Sequence, residues 1–187
     1  MYSKTFAIAL REIKSVFDSL TGYVLASGFL LITGLFTWFF GSHIFLVNRA
    51  SLDAFFNSAF LTLFFFIPAI TMKAVSEEKK TGTLELIFTK SVREIDFILG
   101  KYFGVTAVIL IMLLLTIPYA VTLYAIGNPD TGTLISGYSG TVLISLVFGA
   151  IGIFCGTFSN NQVTSYLLSL LAGVFFIVIF ESLGGLV

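Results

Sequence analysis

Residues 131–180 carry no charged side chain, and a run of that length and character cannot be folded away in water. The hydrocarbon layer of a bilayer takes about 20 residues of helix, so the run is too long for one crossing. Its polar interruption, Ser159-Asn160-Asn161-Gln162, suits a tight turn at the membrane boundary. Composition agrees. The chain is 57% hydrophobic with 22 phenylalanines and only 11% charged, against about 25% charged in ordinary soluble domains. The class is integral membrane, and because strand-like alternation of apolar and polar residues is absent, the spanning form is helical.

Five segments qualify as transmembrane helices: 22–41, 54–74, 102–126, 134–158 and 163–180. Asn128-Pro129-Asp130 with Gly132 marks the turn between the third and fourth. Counting basic residues by side orients the bundle. With the N-terminus inside, Lys4, Arg11, Lys14, Lys73, Lys79, Lys80, Lys90, Arg93 and Lys101 are all cytoplasmic, and Arg49 alone is outside. Five spans then leave the C-terminus outside. The first apolar run starts too late and is too long for a cleaved signal peptide.

Residues 1–21 form a different kind of element. Phe6, Leu10, Ile13, Phe17 and Leu20 recur at helical spacing, with Lys4, Arg11, Lys14, Ser15 and Asp18 opposite. That is an amphipathic helix suited to the headgroup plane, or a short helix packed on another protein. Within the spans, Gly152-x3-Gly156 and Ser165, Ser169, Gly173 allow close helix approach. Pro68 and Pro118 are candidate kinks, read either as bundle packing or as part of a transport path. Cys155 and His43 are each the sole residue of their type and read as packing and structural residues, with no metal-ligand cluster around either. The zero net charge does not suggest nucleic acid as a partner.

The charge is concentrated in residues 77–101, a cytoplasmic loop between the second and third spans. Glu77, Glu78, Glu85, Glu94 and Asp96 face Lys79, Lys80, Lys90, Arg93 and Lys101, half of the chain's ten acidic and ten basic side chains. Ser91-Val92-Arg93-Glu94 fits a capping box, so a helix is expected to start at Ser91 and run into the third span. Before it, Thr81-Gly82-Thr83 breaks the chain, and Leu84-Glu85-Leu86-Ile87-Phe88 follows with Thr81 or Thr83 able to cap a short helix. So apolar a helix in a polar loop needs a cover, either membrane surface or a partner protein. Glu77-Glu78-Lys79-Lys80 reads as a solvated, self-paired run, or as a polar contact for a partner or for the amphipathic helix.

No P-loop, H-E-x-x-H or G-x-S-x-G motif is present, and the spans lack the central ionisable residue of an ion-coupled carrier. Glu181 lies near the outer interface.

The run Ile70-Thr71-Met72-Lys73 leading into EEKKTGTLELIFTKSV, followed by Ile98-Leu99-Gly100-Lys101-Tyr102, resembles the permease subunits of ABC-2 type transporters, most closely the gliding-motility-associated permeases. Thr21-Gly22-Tyr23 with LLITGLF, and IGIFCGTFSNNQ, carry the likeness along the chain. The resemblance implies an all-α polytopic bundle in a bacterial plasma membrane. It pairs with a second permease, identical or not, and with cytoplasmic ABC ATPases that hold ATP and magnesium, so no catalytic or cofactor site is expected in this chain. It also implies that residues 83–89 form a coupling helix seated on the ATPase. Glu77, Glu78, Lys79, Thr81, Gly82, Thr83, Leu84, Glu85, Leu86 and Phe88 are the coupling residues, and Phe6, Leu10, Ile13 and Phe17 the face of an interfacial connecting helix. Family members usually have six spans. This sequence stops after the fifth, so a truncated or shortened form is expected. The alternatives are a membrane anchor or scaffold without its own transport path, and an ion-coupled carrier for which Glu181 would be the acid.

Overall fold

The computed structural model describes residues 2–40, 51–80, 82 and 92–184. Among them there are helices and no strands: α1 (Tyr2–Asp18), α2 (Leu20–Trp38), α3 (Asp53–Lys80), α4 (Glu94–Leu114), α5 (Ile117–Ile126), α6 (Thr131–Phe158) and α7 (Gln162–Gly184). Among the described residues, five helical segments are long and apolar enough to cross a membrane: Leu20–Trp38, Asp53–Lys80, Glu94–Ile126, Thr131–Phe158 and Gln162–Phe180. The chain is therefore a polytopic helical membrane protein.

The amphipathic helix ends at Asp18 rather than residue 21. Ser19 is extended (φ −94°, ψ 146°) and α2 starts at once. The corner depends on Gly22, where a Cβ would lie 2.3 Å from the Val16 carbonyl oxygen. Any side chain there would force the two helices apart.

α3 runs to Lys80, so residues 77–80 are helix and not loop. At about 1.5 Å per residue its 28 residues reach about 42 Å, well beyond the hydrocarbon thickness. Lys79 and Lys80 occupy its last turn, where positive charge opposes the helix dipole. Gly82 follows at φ +70°, a conformation that favours glycine.

α4 starts at Glu94 with Arg93 as its extended N-cap (φ −76°, ψ 147°) and no side-chain cap. This corrects the expected start at Ser91. Glu94 stands at the first helical position, so it cannot serve as the third residue of a Ser91 capping box. Glu94 and Asp96 supply negative charge to the first turn instead.

The two prolines act differently. Pro68 sits inside an unbroken α3, and the Thr71 hydroxyl bonds the Pro68 carbonyl at 3.2 Å. Pro118 lies in the first turn of α5, just after a break at residues 115–116 that divides the third span into α4 and α5. The Thr116 hydroxyl donates to the Leu113 carbonyl at 2.6 Å, and the Tyr138 hydroxyl lies 3.2 Å from it. The freed backbone is thus sealed by side chains within the bundle.

α3 is the central helix, packed by α2, α4, α6 and α7. Its closest neighbour is α6, where a Cβ at Gly152 would meet Thr71 Oγ1 at 2.3 Å and one at Gly156 would meet Val75 Cβ at 3.3 Å. The small-residue spacing expected to bring helices together does so here. Three hydroxyls buried within the spans bond their own helix: Thr33 to Phe29 (2.7 Å), Thr62 to Ser58 (2.7 Å) and Ser145 to Thr141 (2.7 Å). The buried Ser76 and Ser165 hydroxyls find no partner among the described residues. At the opposite end from Lys80, Phe55, Phe56, Tyr119 and Tyr138 form an edge-to-face aromatic cluster. Asp130 caps α6, accepting from the Gly132 amide at 3.0 Å and the Thr133 hydroxyl at 2.7 Å. The Thr133 hydroxyl first, then the Gly132 amide, hold its carboxyl below the ordinary value of 3.8.

Candidate functional site

The chemistry gathers where α1, α3 and α4 meet. α1 lies along the first turns of α4, and the contact is made by missing side chains. A Cβ at Gly100 would lie 2.7 Å from Ile8 Cβ, and one at Gly104 would lie 2.6 Å from Glu12 Cβ. Gly100 and Gly104 are one helical turn apart and form a groove. Thr5, Ile8, Ala9 and Glu12 share the face of α1 that lies in it. At the groove's outer end the Thr5 hydroxyl donates to Asp96 Oδ1 at 3.3 Å.

This docking brings a carboxylate onto a lysine. Lys101, on the same α4 segment, is 4% exposed, and its ammonium donates to Glu12 Oε2 at 2.6 Å and to Glu78 Oε1 at 2.7 Å. The Lys101 Nζ also stands 5.6 Å from the centre of the Phe97 ring. One buried cation therefore ties three helices together: α1 through Glu12, α3 through Glu78, and α4 through itself. Burial pushes the Glu12 carboxyl above its ordinary value of 4.5, while the Lys101 charge and hydrogen bond pull against that rise. Beside the triad, the Lys73 ammonium donates to Thr21 Oγ1 at 2.8 Å, tying α3 to the start of α2. The Lys79 ammonium donates to the Thr157 carbonyl at the end of α6. Every long helix that reaches this end of the bundle except α7 is held by a lysine.

The expected coupling residues separate into two groups. Glu78 and Lys79 end α3 and make the contacts just given. The solvated, self-paired reading of residues 77–80 fails for both, because Glu78 binds Lys101 across 23 residues of sequence and Lys79 a backbone carbonyl. Glu77 lies in the same helical turn, with its side chain outside the described residues. Gly82 is the exposed turn that follows. Thr81, Thr83, Leu84, Glu85, Leu86 and Phe88 lie outside the described residues, as do Ser91 and the Glu181 side chain.

The amphipathic face of α1 is also divided. Phe6 (66% exposed) and Leu10 (40% exposed) face outward, while Ile13 and Phe17 pack against the bundle core. The helix is thus clamped between bundle and surroundings, with its inner contact on the Ala9–Glu12 side. Sequence reasoning did not single out Glu12, Lys101, Gly100 or Gly104 as a site. A signal was present in Gly100-x3-Gly104, which has the same spacing as Gly152 and Gly156.

Comparison with curated proteins found no match. The sequence model described as "ABC-2 family transporter protein" matches residues 42–185, which include α3 to α7 and, with them, Glu78 and Lys101. That match takes in well over half of the chain, and the chain belongs to the ABC-2 transporter family.

Proposed function

We propose that this chain is the permease subunit of an ATP-driven ABC-2 transporter, and that it couples ATP hydrolysis in a separate cytoplasmic ATPase to substrate movement across a bacterial plasma membrane. It works with a second permease, and ATP and magnesium belong to the ATPase. Among ABC-2 permeases, the run of residues 77–92 favours the gliding-motility-associated group. The N-terminus and the segment between α3 and α4 are cytoplasmic, which nine of the ten basic residues support.

The observation that carries this reading is the Glu12–Lys101–Glu78 triad. Residues 81–93 connect the ends of α3 and α4, and those ends are cross-tied to each other and to α1. A force applied by an ATPase to the connecting segment would reach three helices at once, two of which cross the membrane. An ion-coupled carrier is less well supported, because the buried charged residues Glu12, Asp96 and Lys101 cluster at one end of the bundle. In such a carrier, ionisable groups stand within the membrane on the substrate path.

The test is co-purification with a P-loop ABC ATPase. Leu84→Asp and Leu86→Asp should each abolish retention of the ATPase while leaving the permease in the membrane. If neither change weakens an association that the unaltered chain shows, residues 83–89 are not the docking helix.

A further inference from the structure

A cavity of about 330 Å³ opens between α1, α2, α3 and α4, directly beside the triad. That volume is in the range of small-ligand sites. Arg11 of α1 and Lys73 of α3 line it, together with Lys101, Glu12 and Glu78. Both carboxylates are engaged by Lys101. Arg11 and Lys73 pair with no described carboxylate. Lys73 uses one of its three donors on Thr21, and the Arg11 guanidinium brings a planar fork of donors. With three cations against two carboxylates, the lining carries a surplus positive charge.

The rest of the lining combines Ser15, Ser19 and Thr21 with an apolar wall of Val16, Leu25, Ala69 and Ile70. It adjoins the first turns of α2, where Leu20, Tyr23 and Val24 are exposed on the bilayer side. The Lys73–Thr21 bond sets the depth. It joins the start of one span to the charged end of another, at the boundary between hydrocarbon and water. An occupant at this level meets cations on one side and hydrocarbon on the other.

We infer that this cavity binds the phosphate of an anionic phospholipid, with Arg11 and Lys73 taking the phosphate oxygens and the Leu25–Ile70 wall taking the start of an acyl chain. The site neither requires nor implies any contact with an ATPase, so it stands or falls separately from the coupling reading. A free phosphate ion shares the oxygen chemistry but would gain nothing from the apolar wall.

The experiment is thermal unfolding of the full chain in neutral detergent, with added phosphatidylglycerol, phosphatidylcholine or inorganic phosphate. Ligand binding to the folded state raises the transition temperature in proportion to ln(1 + [L]/Kd). Phosphatidylglycerol should raise it and phosphatidylcholine should not. The double variant Arg11→Gln/Lys73→Gln should need on the order of tenfold more phosphatidylglycerol for the same rise. The exposed pair Lys14→Gln/Arg93→Gln at the same end should respond like the unaltered chain. Arg11→Lys/Lys73→Arg keeps the charges and should retain the response, which guards against a double variant that simply folds poorly. Equal responses in the two glutamine pairs would mean generic surface attraction and overturn the site. A rise with inorganic phosphate alone, or with none of the three additives, would overturn the lipid assignment.

Discussion

Lys101 illustrates how costly a buried charge is and how completely this one is answered. Removing an ammonium from water costs several kcal/mol after relaxation, and here two carboxylates at 2.6 and 2.7 Å meet that cost. The pair partners are not equivalent. Burial leaves Glu12 with a raised proton affinity in the folded state, so protonation of Glu12 favours folding. The stability this group contributes is full below its unfolded value of 4.5 and is lost as pH rises through the higher folded value. Glu12→Gln should therefore show a flatter dependence of stability on pH above 4.5, with Lys101 still paired to Glu78. Lys101→Met should behave oppositely. It strands two carboxylates in a buried site, and loss of one member of such a group costs about 3–5 kcal/mol. Part of that loss should return on acidification toward pH 5, as the stranded acids take up protons. Thermal unfolding in detergent across pH 5 to 8 reads both effects. A Lys101→Met chain as stable as the parent at pH 7 would show that the triad does not hold the helices.

At the level of elements, α1 is held by the absence of atoms. Gly104 leaves 2.6 Å between a hypothetical Cβ and Glu12 Cβ, and 3.1 Å to the Ala9 carbonyl oxygen, so neither a side-chain swing nor a small shift would make room. Gly140, in the middle of α6, would place a Cβ in open space. The same substitution should thus have opposite signs. Gly140→Ala should be neutral or stabilising by up to about 1 kcal/mol, because alanine costs less entropy in a helix. Gly104→Ala should destabilise by about 1–3 kcal/mol through overpacking, and should speed tryptic cleavage at Lys4, Arg11 and Lys14 as α1 lifts. Unchanged cleavage in the Gly104 variant would mean α1 is not docked there. This contact also marks the limit of what could be read from the sequence. The five spans and the close approach at Gly152 and Gly156 were legible, because apolar length and small-residue spacing are local signals. The docking of α1 was not, since Glu12 and Lys101 stand 89 residues apart and nothing local to either announces the other. Gly100 and Gly104 stand at the edge of a charged island, and a lone pair of glycines one turn apart does not say which helix fills the groove between them. The capping box at Ser91 failed for a related reason: its four residues have the right types, but Arg93 in extended conformation sets the helix start.

For the molecule as a whole, charge is sorted by end. Lys73, Lys79, Lys101, Glu12 and Glu78 meet at one end of the bundle, while Asp53 and Asp130 begin α3 and α6 at the other. The basic excess at the first end predicts that it faces the cytoplasm. Because neighbouring spans must alternate in direction, a single assignment fixes the side of every connection. The α3–α4 segment and the α6–α7 turn share the side of α1, and the α5–α6 turn and the start of α3 lie opposite. Cysteine labelling tests this directly. The background is Cys155→Ser, which removes the free and buried thiol. In intact cells, a membrane-impermeant maleimide should modify Asp53→Cys and Asn128→Cys. Lys14→Cys, Gly82→Cys and Asn160→Cys should react only after the membrane is opened. The complete reverse pattern would keep the bundle but invert it, placing the segment between α3 and α4 out of reach of any cytoplasmic ATPase. A mixed pattern, with Gly82→Cys and Asn160→Cys on different sides, would break the alternation and with it the five-span arrangement. Only the expected pattern leaves the lysine-tied end of the bundle where ATP hydrolysis could act on it.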